Sequence, residues 1–329
     1  KVINSPGEPG IAYHIGAGFA SSDLEGDEAD FLNNLKQTAQ QRNKGLIERV
    51  NAFLSPVELD YEKDIVPITP SGNATERHIC LAYARKAAEV FPNQDELCAF
   101  WIEKLGADVD CIDLPEGAGI QALIRTITMK RGGVGYVEPD AGAFPKMAEV
   151  NDFVLKCGAI PTLAWLNGLS DGEQEMERLM DVAIGCGVEA FNIIPDRNFT
   201  AGVEDEKLAN LREVIRLAQE RDLPIIVGTE MNSPGLKFVD DFDSAELSPY
   251  AGVFLDGAMI VYGHSIMQRK CKMGYTSTWA RQNFENKKAK NEFYKTVGKK
   301  LEPAAAGKLE EFDEKSSPDE ILKKLVLIQ

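Results

Sequence analysis

Between residues 144 and 263 the chain alternates helical and extended patterns at a nearly constant interval, and this rhythm limits the folds open to it. The stretches "AIPTLAWL", "VEAFNII" and "LPIIVGT" are short apolar runs of β-formers, and "AMIVYG" reads as a fourth. Helical patterns precede the first three. Met147, Val150, Phe153 and Val154 share one face, Met176, Leu179, Met180 and Ala183 a second, and Leu208, Leu211, Val214, Ile215 and Ala218 a third. The strand ends at Trp165, Ile194, Thr229 and Tyr262 lie 29, 35 and 33 residues apart, the interval of successive β–loop–α units. Such alternation predicts a parallel sheet covered by helices. An open doubly wound sheet and a closed barrel both satisfy it, and in either one the chemistry gathers after the strands.

The rest of the chain is organised differently. Residues 1–21 hold one strand, "IAYHIGAGF", and residues 22–130 read as a mainly helical insertion laid over the strand ends, with a separate helical domain as the alternative. Residues 131–277 carry the βα units. Residues 278–329 alternate Lys and Glu and read as C-terminal surface helices with no chemistry.

Composition sets outer bounds. With 36 basic against 52 acidic residues the net charge is −16, which opposes non-specific binding to nucleic acid or anionic membrane. No apolar run reaches the ~20 residues of a spanning helix, so the expectation is a soluble, cytoplasmic protein. The six cysteines are scattered without a C-x-x-C pair and read as reduced thiols. Only three histidines, His14, His78 and His264, are available to a metal.

Four stretches carry candidate chemistry. In "IIVGTEMN", Glu230 and Asn232 follow a strand as oxygen donors suited to a hard divalent cation, or as a capped turn. In "NIIPDRNF", Arg197 suits a bidentate grip on a phosphate or carboxylate with Asp196 orienting it and Asn198 beside it, or an Asp–Arg pair tying down a loop. "ERHIC" places His78 in the first turn of a helix, where the helix dipole disfavours its cation and leaves a neutral ring able to bind metal. "YGHS" puts His264 at the end of the fourth run. Trp165 and Asn167, at the exit of "AIPTLAWLN", offer an aromatic platform and an amide to a ligand.

The order of "YHIGAGF", "ERHI", "AFWIEKLG", "VGYVEPD", "CGAIPTLAWL" and "IIVGTEMN" resembles the polymerase and histidinol phosphatase (PHP) family of metal-dependent phosphoesterases, over roughly residues 11 to 235. The resemblance implies an α/β fold: a distorted (β/α) TIM-like barrel of the PHP type with a helical insertion, its N-terminal strands missing from this chain. His78 falls on the histidine of the family's Arg-Pro-His motif. Glu230 and Asn232 fall on the Asp and His of Asp-x-His, and Trp165 and Leu166 stand where the family has His-Pro. The family's opening His-x-His, its next Asp-His and a bridging Glu have no counterpart here.

Two functions follow as expectations. One is a PHP-type hydrolase of a phosphate ester with an altered metal site. There His78, Glu230 and His264 hold a divalent metal (Mn, Fe, Zn or Mg), and Asp196 and Arg197 act on the small phosphorylated or anionic substrate. The other is a catalytically degenerate barrel that binds a small anionic or sugar-like ligand through Trp165, Arg197, Asn198 and Asn232, with Asn167 beside them.

Overall fold

A computed structural model describes residues 10–69, 72–138, 144–198, 204–231 and 238–326, with the side chains of Asp196, Glu204 and Val326 excepted. The chain divides into two compact units, Ala29–Phe144 and a second made of Lys1–Glu28 with Pro145–Gln329.

The first unit is helical. Helix α1 (Gly26–Leu54) enters it with Asp27 and Glu28 in the opening turn and buries Asn43, Leu46, Ile47, Val50 and Leu54, a stripe at helical spacing. Helix α2 (Glu76–Val90) follows the N-cap Thr75, and α3 (Gln94–Leu105) starts at Asn93, whose side chain accepts from the amides of Asp95 and Glu96. Gly106, at φ 96°, ends α3 in a conformation that β-carbon-bearing residues rarely adopt. Helix α4 (Ala118–Ile124) completes the set around a core that includes Tyr83, Trp101, Ile79 and Ile124. Cys98 and Cys111 are joined as a disulfide with Cα atoms 5.4 Å apart, which corrects the reading of all six cysteines as thiols. The sequence spacing gave no hint of the bond because the two residues meet through a loop. The insertion read from the sequence ended at residue 130, whereas this unit continues to Phe144.

The second unit is mixed α/β, and its described strands form one four-stranded sheet in the order β1 (His14–Ala17), β2 (Ile160–Ala164), β3 (Ala190–Ile193), β4 (Ile225–Val227). Strands β2, β3 and β4 are parallel, as their spacing predicts, while β1 is antiparallel to β2, with Ala17 opposite Ile160 and His14 opposite Leu163. Among the described residues β1 and β4 are edges and no closed barrel is present. Helices α5 (Met147–Lys156), α6 (Asp171–Gln174), α7 (Met176–Gly185) and α8 (Glu204–Glu220) fill the crossovers. Leu179, Met180, Ala183, Leu211, Val214, Ile215 and Ala218 bury the predicted faces of α7 and α8 against Phe191 and Ile225 of the sheet.

Two expectations are corrected here. "AMIVYG" is not a strand but the middle of a 21-residue helix, α9 (Ala251–Cys271). A short apolar run is compatible with a buried strand or a buried helix, and this helix is apolar on more than one side because it is covered on more than one side. A β-carbon on Gly257 of α9 would overlap the carbonyl of Ile225 in β4. The C-terminal segment, α10 (Thr278–Asn283), α11 (Lys287–Lys300) and α12 (Pro318–Val326), is more than a surface layer, since Trp279, Phe293, Tyr294, Val297, Leu309, Ile321 and Leu325 lie in the same core as Ile160 and Ile260. The many lysines and glutamates around these few apolar residues hide the stripe in composition but not in spacing. No helix among the described residues is long and apolar enough to cross a membrane.

Candidate functional site

The exits of β2, β3 and β4 are neighbours because the register aligns Ala164 with Asn192 and Ile193 with Val227. The ladder runs one residue further: Trp165 donates its amide to the Asn192 carbonyl (2.7 Å) and Gly228 donates to that of Ile193 (2.9 Å). Loops at residues 165–170, 194–198 and 228–230 therefore leave the sheet side by side. Asn192 is buried in β3 and donates from Nδ2 to the Ile226 carbonyl at 3.2 Å, fixing the β3–β4 seam.

Arg197 lies in a 3₁₀ turn (Pro195–Asn198), closed by its amide donating to the Ile194 carbonyl at 3.1 Å. From there its guanidinium meets Glu230 bidentately, Nε to Oε2 at 2.6 Å and Nη2 to Oε1 at 2.7 Å. The side chains are 35% and 25% exposed, so the pair stands at the surface of the sheet end. Next to Glu230, the Thr229 hydroxyl donates to the buried Asp240 carboxylate at 2.9 Å. Asn198 is fully buried; its Nδ2 donates to the Ile194 carbonyl at 3.1 Å, and its Oδ1 has no hydrogen-bond partner among the described residues. Asn167 uses Oδ1 to accept from the Leu169 amide at 3.2 Å, an Asx turn that shapes the β2 exit.

Trp165 is 1% exposed and belongs to the core, tilted against Phe191 with ring centroids 6.0 Å apart. This corrects its reading as an open stacking platform: the residue one step past the strand points into the layer between sheet and helices. Asn232 and the side chain of Asp196 lie outside the described residues.

The histidines are held elsewhere. His264 lies within α9, not at a strand end, and is fully buried. Its Nδ1 accepts from the Tyr275 amide at 2.8 Å, which leaves Nε2 to carry the proton and donate to the Gly18 carbonyl at 3.0 Å. Both nitrogens are committed to backbone, and burial pushes the pKa down to about 4 despite the Gly18 bond. His78 belongs to the helical unit, where it is the third residue of α2 and completes a capping box. Its Nδ1 accepts from the Thr75 amide at 3.1 Å. The expected donors His78, Glu230 and His264 are thus a helix cap, one half of an ion pair and a buried strut. Each is engaged in that other role, and no group of three or more His, Cys, Asp or Glu suited to a metal occurs among the described residues.

One residue of the site escapes a motif search. Glu173 is wholly buried and sits below the β2 exit loop. Its Oε1 accepts from Leu166 at 2.7 Å, and its Oε2 from Asn167 at 3.1 Å and Gly168 at 2.8 Å. Ser170 caps its helix by accepting from the Glu173 amide at 3.3 Å. The available signal was Ser170-x-x-Glu173, the spacing of a helix start; the carboxylate, however, reaches the preceding loop instead of the cap.

No family model matches the chain, and no curated protein does. Among solved structures it is similar to an amidohydrolase from Chromobacterium violaceum with bound sulfate and no metal, at 13% identity and a TM-score of 0.44 over 70% of this chain. The chain spans 66% of that protein's length.

Proposed function

We propose that the strand-exit face of the α/β unit binds a small polyhydroxylated, sugar-like ligand, and that the chain is a degenerate relative of the PHP-type hydrolases it resembles in motif order. The observation that carries this reading is the closed Arg197–Glu230 pair. A phosphate or carboxylate binding at Arg197 must compete with the Glu230 carboxylate for the same guanidinium edge, which offsets much of its gain. A neutral hydroxyl has no such cost. Arg197 makes its bonds through Nε and Nη2, which leaves Nη1 to donate to a hydroxyl beside the Glu230 carboxylate. A hydroxyl group is donor and acceptor at once.

Saturation-transfer NMR with glucose, galactose and their 6-phosphates tests the reading. Neutral sugars are expected to bind in the millimolar range and to weaken about tenfold in Arg197→Ala, the loss of one charge-assisted hydrogen bond. Tighter binding of the phosphates would sink it.

A second reading, metal-dependent hydrolysis of a phosphate ester, rests on Glu230 standing at a strand exit where the PHP family has its Asp. It requires donors other than His78, which caps α2, and His264, whose two ring nitrogens are bonded to backbone. Stoichiometric Mn, Fe, Zn or Mg in the purified protein, with metal-dependent turnover of p-nitrophenyl phosphate lost in Glu230→Ala, would favour it over sugar binding.

A further inference from the structure

The helical unit carries one bond that chemistry outside the fold can open and close. Cys98 lies in α3 and Cys111 in the loop that follows it; both are half-buried, and they are joined through their sulfurs. The loop residue is tied to α3 a second time, since Gln94 Nε2 donates to the Cys111 carbonyl at 2.8 Å. Two residues on, Asp113 caps α4. The N-cap position of that helix is Gly117, which has no side chain to offer, and a β-carbon there would overlap the Asp113 carboxylate. Asp113 Oδ2 accepts from the Ile120 amide at 2.8 Å, and the Asp113 carbonyl accepts from the Gly117 amide at 2.7 Å. From there the chain runs through buried Ile120 and Ile124 to Arg125, whose Nε donates to Glu76 Oε2 at 2.6 Å in the first turn of α2. The bond therefore fixes the point from which α4 starts, and a helix of 7 residues is too short to hold itself.

We propose that the Cys98–Cys111 bond is a redox latch: closed, it orders residues 106–124, and opened by a dithiol it releases that segment while the rest of the unit stays folded. The rest has its own means of support. Helices α1 and α2 meet through Tyr83, whose hydroxyl donates to Asn51 Oδ1 at 2.8 Å, and through buried Ile47, Val50 and Ile79. The exchange is also addressed from outside. Cys80 is the other cysteine of the unit, and burial pushes its thiol up to about 12, so it supplies no thiolate to attack the bond from within. In the opening step a thiolate of the external dithiol attacks one sulfur of the pair, the bond between the cysteines breaks, and the released thiolate takes a proton. The second thiolate of the reductant then breaks the mixed disulfide. Two electrons and two protons pass to the cysteines, and the reductant is oxidised to its own disulfide. The latch stands apart from the ligand reading of the strand-exit face.

Hydrogen exchange read by mass spectrometry on the whole chain tests this in air-oxidised protein, in protein treated with dithiothreitol, and in Cys98→Ser/Cys111→Ser. Alkylation with peptide mapping follows the bond itself, with Cys98 and Cys111 expected to be protected before treatment and alkylated after it. Amides of residues 106–124 should then exchange about tenfold or more faster in the reduced protein and in the variant. That is part of the roughly hundredfold by which closing a loop of about 15 residues restrains an opened chain. The buried end of α1 and strands β2 to β4 should stay within about twofold of the oxidised protein. Reoxidation should restore slow exchange in the wild type and not in the variant. The latch is overturned by Cys98 and Cys111 reacting without reductant, by folded protein that resists dithiothreitol, or by unchanged exchange over residues 106–124 once the bond is open. Acceleration spread over the whole helical unit also overturns it, since that marks a staple holding the fold. Should the variant fail to fold, the reduced wild type decides by itself.

Discussion

Trp165 shows how one position decides between a binding surface and a core. Its indole is packed behind the sheet end, and its Nε1 finds no partner there. Trp165→Ala is expected to cost about 3–5 kcal/mol of stability, the range for emptying a large buried side chain. A ligand platform would lose affinity with little change in stability. Urea denaturation of the variant distinguishes the two, and a loss below about 1 kcal/mol would return Trp165 to the surface. Much of the site was legible at this scale. Arg197 and Glu230 are polar residues just past apolar runs, which flags them as strand-exit groups. Their mutual pairing was not legible, because 33 residues separate them and only the β3–β4 register brings them together. Glu173 was less legible still, since its partners are backbone amides and carry no side-chain signature.

At the scale of elements, strands β2 to β4 were readable because each is a short apolar run bounded by helix stops and turn residues. Helix α9 was not. Its central run has the length and composition of a buried strand, and the fact that decides against it lies in another element. Gly263 of α9 faces the carbonyl of Tyr294, and Gly298 of α11 faces that of Met259, so the two helices approach backbone to backbone through reciprocal glycines. Gly263→Ala should destabilise by about 1–3 kcal/mol through overpacking. Gly252→Ala, at an open position of the same helix with nothing within 4 Å, should be neutral or stabilise by up to about 1 kcal/mol. Thermal unfolding of the two variants side by side checks this, and equal effects would mean the helices do not cross at the glycines.

At the scale of the whole molecule, the buried His264 and the half-buried His14 govern the response to acid. Burial pushes His264 down to about 4, and does the same to His14, where the nearby Asn151 opposes the shift without forming a hydrogen bond of good geometry. A folded pKa below the unfolded value means that the unfolded chain takes up protons first. Stability is therefore full above about pH 6.5 and falls as pH drops toward 4, at up to about 1.4 kcal/mol per pH unit for each histidine. Glu76, which Lys130 and Arg125 hold below the carboxylate range against the opposing effect of burial, adds a further loss at the acid end of that range. Urea titrations between pH 7 and pH 4.5 should show a midpoint that falls throughout, and a much flatter course in a variant carrying His14→Gln and His264→Gln. A flat profile in the wild type would mean that the rings are solvated.

The pairing of β1 with β2 also sets an order of events. Ala17 lies opposite Ile160, and the whole helical unit is encoded between them. On a ribosome, the first strand of this sheet is made long before the strand it needs, and its backbone has no native partner until the helical unit has been synthesised. The earliest described strand of the sheet thus waits longest for its neighbour, and the unit Ala29–Phe144 lies within the one long loop that their pairing closes.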